Sequence, residues 1–236
     1  MNKAIDTLAP LISPVLERRG FKFRKSDASY FKSEKFGFLY FSLVSHLVSD
    51  SFGYYLVEYG LGARHDRIDN IVNQLGHIWG DAYRKRTTTV YRGLTFFPFD
   101  SKRDGRQLIH SSNIRIDAAA ASDNIVGMLE ESGLDFYDRY SSLVECARGL
   151  NVPIRSRSHP LCNKFPLRAY YGVTAAALTE PAKVGELTRD YMSFIHDGGI
   201  VDEIVYQVGR GKEDREAIIE RLEAVARMAL ADSKAI

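Results

Sequence analysis

The sequence predicts an α+β fold in which a mainly antiparallel sheet in the N-terminal half precedes a mainly helical C-terminal half. Between Phe21 and Leu61 the apolar residues follow the two-residue period of strands, interrupted by short polar turns. After Ile116 the composition shifts to Ala, Leu, Glu and Arg, most of which favour helices. We therefore expect a sheet region over residues 1–117 and a helical region over 118–236, which can pack together as one domain.

The chain opens with a predicted helix from Lys3 to Arg19. Its apolar side chains recur at helical spacing, and Gly20 follows as a C-terminal cap. Pro10 and Pro14 fall inside this pattern. Because each proline removes a backbone hydrogen bond, a kink or a later start of the helix is expected there.

Four antiparallel strands are predicted after this helix. Two short ones cover Phe21 to Arg24 and the neighbourhood of Tyr30 and Phe31. Two longer ones, over residues 36–48 and 54–61, are rich in aromatic and β-branched residues and flank a polar turn. Four antiparallel strands therefore follow one helix, and the helix predicted after them can cover one face of the sheet.

The remaining elements alternate at first and then become helical. A helical apolar stripe runs from Ile68 to Trp79 behind Asp66 as its N-cap, and weaker strands follow over 87–97 and 108–116. The helices predicted in the second half cover residues 122–132, 135–150, 169–178, 181–196 and 212–232. Residues 151–166 carry three prolines and are predicted to form a loop.

Composition and charge exclude several classes of protein. The 236 residues are 45% hydrophobic and 26% charged, as in ordinary globular domains. No apolar run reaches the ~20 residues that cross a bilayer, and the N-terminus lacks the apolar stretch of a signal peptide. Two cysteines do not make a disulfide framework, so we expect a cytoplasmic protein. A net charge of +2 creates no field that would by itself attract nucleic acid or a membrane.

The sequence contains no motif that indicates catalysis or a cofactor. His159 and Cys162 come nearest to a metal-ligand pair, but no second pair lies at a matching spacing. Cys146 lies in an apolar helical pattern, where a buried thiol is the usual state. We therefore predict no catalytic, cofactor-binding or metal-binding residue, although an enzyme with a dispersed active site would leave no such motif either.

A basic cluster around the proline-rich loop is the best candidate for a binding surface. Its members are Arg155, Arg157, His159, Lys164 and Arg168, with Tyr170 as aromatic contact area beside them. Arginine pairs well with carboxylate and phosphate groups, so an acidic protein surface or a nucleic acid would fit this cluster. A solvated loop without a partner is the simpler interpretation, because runs of charge are usually surface features.

Two stretches resemble a loosely defined group of uncharacterised bacterial α+β proteins. The first is Leu16–Phe23, followed by Tyr30 with Phe31 and the strand Phe38–Val44, and the second is the aromatic-rich segment Leu134–Leu150. The resemblance covers residues 3–150. Some members of this group are encoded beside secreted toxins and act as immunity proteins. The resemblance therefore implies a toxin-neutralising role, with no catalytic residues to transfer.

These observations rank three classes of function. A protein–protein interaction protein comes first, with neutralisation of a bacterial toxin as the specific hypothesis. An enzyme with a dispersed active site comes second, and a nucleic-acid-binding module that uses the basic loop 155–168 comes third. A protein partner would require a complementary surface of about 800 Å² on each side.

Overall fold

The computed structural model describes residues 3–49, 53–75, 85–93, 106–156, 159–162, 165–197 and 215–234. Contacts group the described residues into two compact units. One unit comprises Met1–Ala63 and Tyr91–Arg139, and the other comprises Arg64–Val90 and Tyr140–Ile236. The chain passes between the units three times, so this division differs from the predicted one after residue 117.

The described strands form one sheet, as the sequence predicts. They are β1 (Lys22–Arg24), β2 (Ser29–Glu34), β3 (Gly37–Ser49), β4 (Tyr54–His65), β5 (Val90–Gly93) and β6 (Arg106–His110). The strand order is β1-β2-β3-β4-β5, and β6 pairs with β4 as well. The pairs β1–β2, β2–β3 and β4–β6 are antiparallel. The α+β class predicted from the sequence is therefore confirmed.

The helices lie around and after the strands in the order that the sequence predicts. They are α1 (Lys3–Arg18), α2 (Asp66–Asn73), α3 (Ile114–Met128), α4 (Leu134–Tyr140), α5 (Leu143–Leu150), α6 (Leu167–Thr179), α7 (Val184–His196) and α8 (Arg215–Ser233). Helix α1 continues through Pro10 and Pro14, and both prolines lie on its exposed side. An exposed position lowers the cost of a proline in a helix, because water can hydrogen-bond a carbonyl group that lacks its backbone partner.

Three predicted elements differ from the structure. The strand predicted over 108–116 ends at His110, and α3 begins at Ile114, earlier than predicted. The helix predicted over 135–150 is divided into α4 and α5, because Ser142 accepts a hydrogen bond from the backbone N–H of Glu145 and so begins a new helix. The parts of predicted elements on residues 76–84, 94–105 and 198–214 lie outside the described residues.

In the first unit, α1 and α3 pack against each other, and they contact β3 and β6 respectively. Ile5, Leu8, Ile12 and Leu16 form the buried stripe of α1. Buried Tyr30 of β2 donates its hydroxyl hydrogen to the carbonyl oxygen of Ala9 at 2.8 Å. This hydrogen bond fixes the helix against the strand.

In the second unit, α6 is the central helix and contacts α2, α5, α7 and α8. Every residue from Leu167 to Ala177 is buried, which is expected of a helix surrounded by other helices. A Cβ atom on Gly172 would lie 2.2 Å from Oδ1 of Asn151, so this glycine allows α5 and α6 to approach closely. Among the described helices, none is both long and apolar enough to cross a membrane.

Candidate functional site

The ends of β3, β4 and β6 present an apolar surface that is the candidate functional site. We call this surface the outer face. It consists of Val44, His46, Val48, Tyr54, Leu56, Glu58, Leu108 and His110. All of these side chains belong to the first unit.

Strand register places these side chains on one side of the sheet. Leu56 lies opposite Leu108, and the rings of Tyr54 and His110 are 4.6 Å apart. On the neighbouring strand, Nε2 of His46 lies 3.9 Å from Oε2 of Glu58. Because alternate residues of a strand point to the same face, the even-numbered residues at the ends of these three strands share the outer face.

The opposite side of the same strands forms the core of the first unit. Leu43, Val57, Tyr59 and Ile109 alternate with the outer-face residues, and all of them are buried. Each strand therefore carries apolar residues on both sides in this region, although His46, Glu58 and His110 also belong to the outer face. A sheet face that met only water would be expected to alternate with polar residues.

Four of the five apolar residues of the outer face are exposed, and Leu56 is half-buried. The exposed fraction is 41% for Val44, 58% for Val48, 39% for Tyr54 and 60% for Leu108. Single exposed apolar residues are common on protein surfaces, but a contiguous group on adjacent strands marks a binding surface. The outer face therefore has the chemistry of an interface centre.

Polar groups at the border of the outer face are held in place by short contacts. Nδ1 of His110 lies 2.5 Å from the hydroxyl oxygen of Ser112. The backbone N–H of His110 donates to Oδ2 of Asp117 at 2.7 Å. Asp117 thus occupies one donor at the edge of β6, as acidic and basic side chains do on protected sheet edges.

The predicted basic cluster is divided by the structure into buried and exposed members. Arg168 is 1% exposed and donates hydrogen bonds to the carbonyl oxygens of Pro153, Ile154 and Ser156 at 3.1, 2.6 and 3.1 Å. Burial lowers the pKa of Arg168. This guanidinium supports the backbone of the loop from inside.

His159 and Tyr170 are also buried. Nδ1 of His159 accepts the backbone N–H of Leu161, and its Nε2 lies 3.2 Å from the carbonyl oxygen of Val152. Burial, and after it the charge of Arg168, lowers the pKa of His159 to about 4. The ring of Tyr170 is 1% exposed. Both side chains are packing and hydrogen-bonding groups in this structure.

Arg155 is the exposed member of the predicted cluster among the described residues. It pairs with Asp197 at 2.9 Å and donates to the hydroxyl oxygen of Ser193 at 3.0 Å. Arg157 and Lys164 lie outside the described residues. The partner-binding role of the cluster stays a prediction. Among its described members, Arg155 alone is exposed enough to contact a partner.

A buried polar network in the second unit surrounds the carboxylate of Asp69. Thr87, Thr89 and Tyr171 donate hydroxyl hydrogens to it, and Nη1 of Arg64 lies 3.4 Å from its Oδ1. Burial raises the pKa of Asp69, while Arg64 and the hydroxyl donors act in the opposite direction. The four donors satisfy the oxygen atoms of this buried carboxyl group inside the second unit.

Cysteine and metal chemistry do not define a site in the described part of the chain. Cys146 is fully buried, as predicted, and burial raises the pKa of its thiol to about 12, which disfavours the reactive thiolate. No group of three His, Cys, Asp or Glu side chains in the described ranges is placed to hold a metal ion.

Sequence reasoning missed the outer face, although the sequence carries a signal for it. Val44, Val48, Leu56 and Leu108 are apolar at positions where strict alternation would place polar residues. Their significance depends on the pairing of β6 with β4, which brings Leu108 beside Leu56 from more than fifty residues away. Periodicity within one strand does not show that pairing.

A scan against protein-family models and searches of curated proteins and of solved structures found no match to this chain.

Proposed function

We propose that this chain is a protein-binding protein and that its docking surface is the outer face. The observation that supports the proposal is the exposure of Val44, Val48, Tyr54 and Leu108 on three adjacent strands. An interface core is apolar and aromatic and is accompanied by polar groups, and the outer face carries His46 and Glu58 beside its apolar residues. The expected partner is a folded protein that presents a complementary apolar patch.

The proposal is tested by capture of partners on immobilised chain variants. Val48→Asp and Leu108→Asp place a charge in the middle of the outer face, where desolvation of that charge would oppose docking. Ile116→Asp is the matched control, because Ile116 is 73% exposed but lies in the first turn of α3. All three variants should fold, since all three positions are exposed.

The expected result is a stoichiometric protein partner that wild-type chain and Ile116→Asp retain and both outer-face variants lose. Equal retention by all four proteins would contradict the proposal, and so would the absence of any partner. Analytical ultracentrifugation of the wild type and of Val48→Asp measures the oligomeric state as a second test. A homodimer that Val48→Asp dissociates would assign the outer face to a second copy of this chain.

For the identity of the partner we propose a bacterial toxin, encountered in the cytoplasm. The support is the resemblance of residues 3–150 to bacterial proteins that include immunity proteins. The captured partner, expressed alone, should arrest bacterial growth, and co-expression of the wild-type chain should restore it. A partner that leaves growth unchanged would remove the toxin hypothesis and keep the binding function.

A further inference from the structure

The second unit contains a cleft of about 470 Å³ between α5, α6 and α7, which we call the α5–α7 cleft. Its volume lies within the range of ~300–1,000 Å³ typical of ligand pockets. Ala147 and Ala176 lie at its bottom, because both are almost fully buried, and Leu187 adds an aliphatic wall. The bottom of the cleft is therefore suited to an aliphatic group.

The α7 wall of the cleft is acidic. Glu186 and Asp190 are exposed and lie four residues apart, so they share one face of α7. Two carboxylates at this spacing repel each other in the absence of a cation. Among the described residues, neither carboxylate forms an ion pair. The two basic residues of the cleft are paired elsewhere, Arg148 with Glu145 and Lys183 with Glu180.

The opposite wall continues beyond the cleft as an aliphatic edge. Val152 lines the cleft just after the C-terminal end of α5, and Val144 lies outside the lining, four residues before Arg148 on the same helix. Val144 is 43% exposed and Val152 is 68% exposed. A ligand that fills only the cleft would leave Val144 in water, whereas a chain segment that extends past the cleft would cover it.

We propose that the α5–α7 cleft binds a peptide segment of a partner protein in which a Lys or Arg residue lies close to an aliphatic residue. The aliphatic side chain occupies the space above Ala147 and Ala176. The basic side chain lies between Glu186 and Asp190, where each carboxylate accepts a charge-assisted hydrogen bond. The flanking residues of the segment cover Val144 and Val152.

This site is separate from the outer face, and the inference does not depend on the proposed function. Its residues all belong to the second unit, whereas those of the outer face all belong to the first. A variant of either surface can therefore be tested without change to the residues of the other.

The probe for the experiment is a phage-displayed library of random peptides, selected on the full-length chain. We expect the selected peptides to share a basic residue near Leu, Ile or Met. Fluorescence anisotropy with a labelled synthetic copy then measures affinity for the wild type and for the double variant Glu186→Lys/Asp190→Lys. The double variant should lose about tenfold or more in affinity, because two attractive charge pairs become repulsive.

The matched control is Glu216→Lys/Glu220→Lys, which reverses two exposed carboxylates at the same spacing on α8 and changes the net charge equally. It should bind the peptide as the wild type does. Val48→Asp should also bind normally, so failure of the outer-face proposal and failure of this one give different results.

Three outcomes would overturn the inference. One is a selection that enriches no peptide. Another is a set of peptides that bind the Glu186→Lys/Asp190→Lys variant as tightly as the wild type. The third is full displacement of the peptide by free butylamine at a concentration equal to that of the peptide, which would show that the site recognises a small cation and not a chain segment.

Discussion

The hydroxyl group of Tyr171 donates a hydrogen bond to Oδ1 of Asp69 across 3.1 Å, and both side chains are fully buried. Tyr171 lies in the central helix α6, and Asp69 lies in α2. The bond therefore joins two helices that are about a hundred residues apart in sequence. Because it involves a buried carboxylate, its loss leaves an acceptor without one of its donors.

Tyr171→Phe should lower the free energy of unfolding by about 1–3 kcal/mol, the usual cost of removing a hydrogen bond to a buried charged group. Tyr170→Phe is the matched control, because its hydroxyl lies 3.5 Å from the carbonyl oxygen of Ile218, at the limit of hydrogen bonding. Urea denaturation of both variants measures the difference. Equal decreases in the free energy of unfolding for the two variants would show that the Tyr171–Asp69 hydrogen bond stabilises the fold no more than the Tyr170 contact does.

Arg168 and Arg155 should differ sharply although both belong to the predicted basic cluster. Arg168→Met removes the donors of three carbonyl groups and should cost about 3 kcal/mol or more, since hydrogen bonds to charged groups are strong when buried. Arg155→Met removes an exposed ion pair with Asp197 and should cost about 0–1 kcal/mol. Thermal unfolding followed by circular dichroism checks both values.

A larger decrease in stability for Arg155→Met than for Arg168→Met would contradict this prediction. It would mean that the exposed ion pair of Arg155, and not the buried Arg168, stabilises the loop. A similar loss for Arg168→Lys and Arg168→Met would support the role of the guanidinium fork, because lysine lacks the geometry to reach three carbonyl oxygens at once. Full stability of Arg168→Lys would show that a point charge is enough.

The order and type of the main elements could be predicted from the sequence because they depend on local patterns. The stripe of α1 and the alternation in β3 are visible in single segments. The division between α4 and α5 at Ser142 was missed, since a serine N-cap inside a long helical pattern is a weak local signal. The grouping of α2 with the C-terminal helices depends on contacts between distant residues, which periodicity does not contain.

The candidate site could be predicted only in part. Arg155 lies in the loop and Arg168 in the first turn of α6, yet one is exposed and the other supports the loop from inside. Composition does not distinguish these states, because arginine can serve either as a surface charge or as a donor to buried carbonyl groups. The partner-binding role of the loop therefore stays a prediction that depends on Arg155, whereas the outer face is a separate candidate whose exposed side chains are mainly apolar.

Stability should depend on pH through His159. Its pKa is about 4 in the folded chain and about 6.5 in the unfolded chain. Above pH 6.5 both states are neutral, so stability does not change. Between pH 6.5 and pH 4, His159 is protonated in the unfolded chain but stays neutral in the folded chain. The free energy of unfolding therefore falls on acidification, by about 3 kcal/mol at most.

The measurement is the free energy of unfolding in urea at pH values from 7 to 4. His159→Gln should be less stable at pH 7, because it alters the contacts with Val152 and Leu161, but its pH dependence should be weaker than that of the wild type. Part of the dependence should remain, since burial also lowers the pKa of His65. Identical slopes for the two proteins would show that His159 is accessible to protons in the folded chain.

Gly172 should tolerate no side chain, because the space that a methyl group needs is occupied by Asn151. The Nδ2 group of Asn151 donates to the carbonyl oxygens of Ala147 and Gly172 at 2.8 and 2.9 Å, and its Oδ1 accepts from Tyr191 at 2.9 Å. Three hydrogen bonds hold this side chain, so it has no free direction in which to move. Gly172→Ala should therefore lower the free energy of unfolding by about 2–3 kcal/mol.

Gly185→Ala is the matched control. Its added methyl group would meet only the end of the flexible Arg189 side chain at 3.7 Å, and alanine favours the helix by up to about 1 kcal/mol over glycine. Thermal unfolding should therefore show a loss for Gly172→Ala and a small gain for Gly185→Ala. In the double variant Asn151→Ala/Gly172→Ala the clash is absent. The free energy of unfolding of the double variant should therefore fall by less than the sum of the decreases in the two single variants. Simple additivity would mean that the cost at Gly172 arises from some contact other than Asn151.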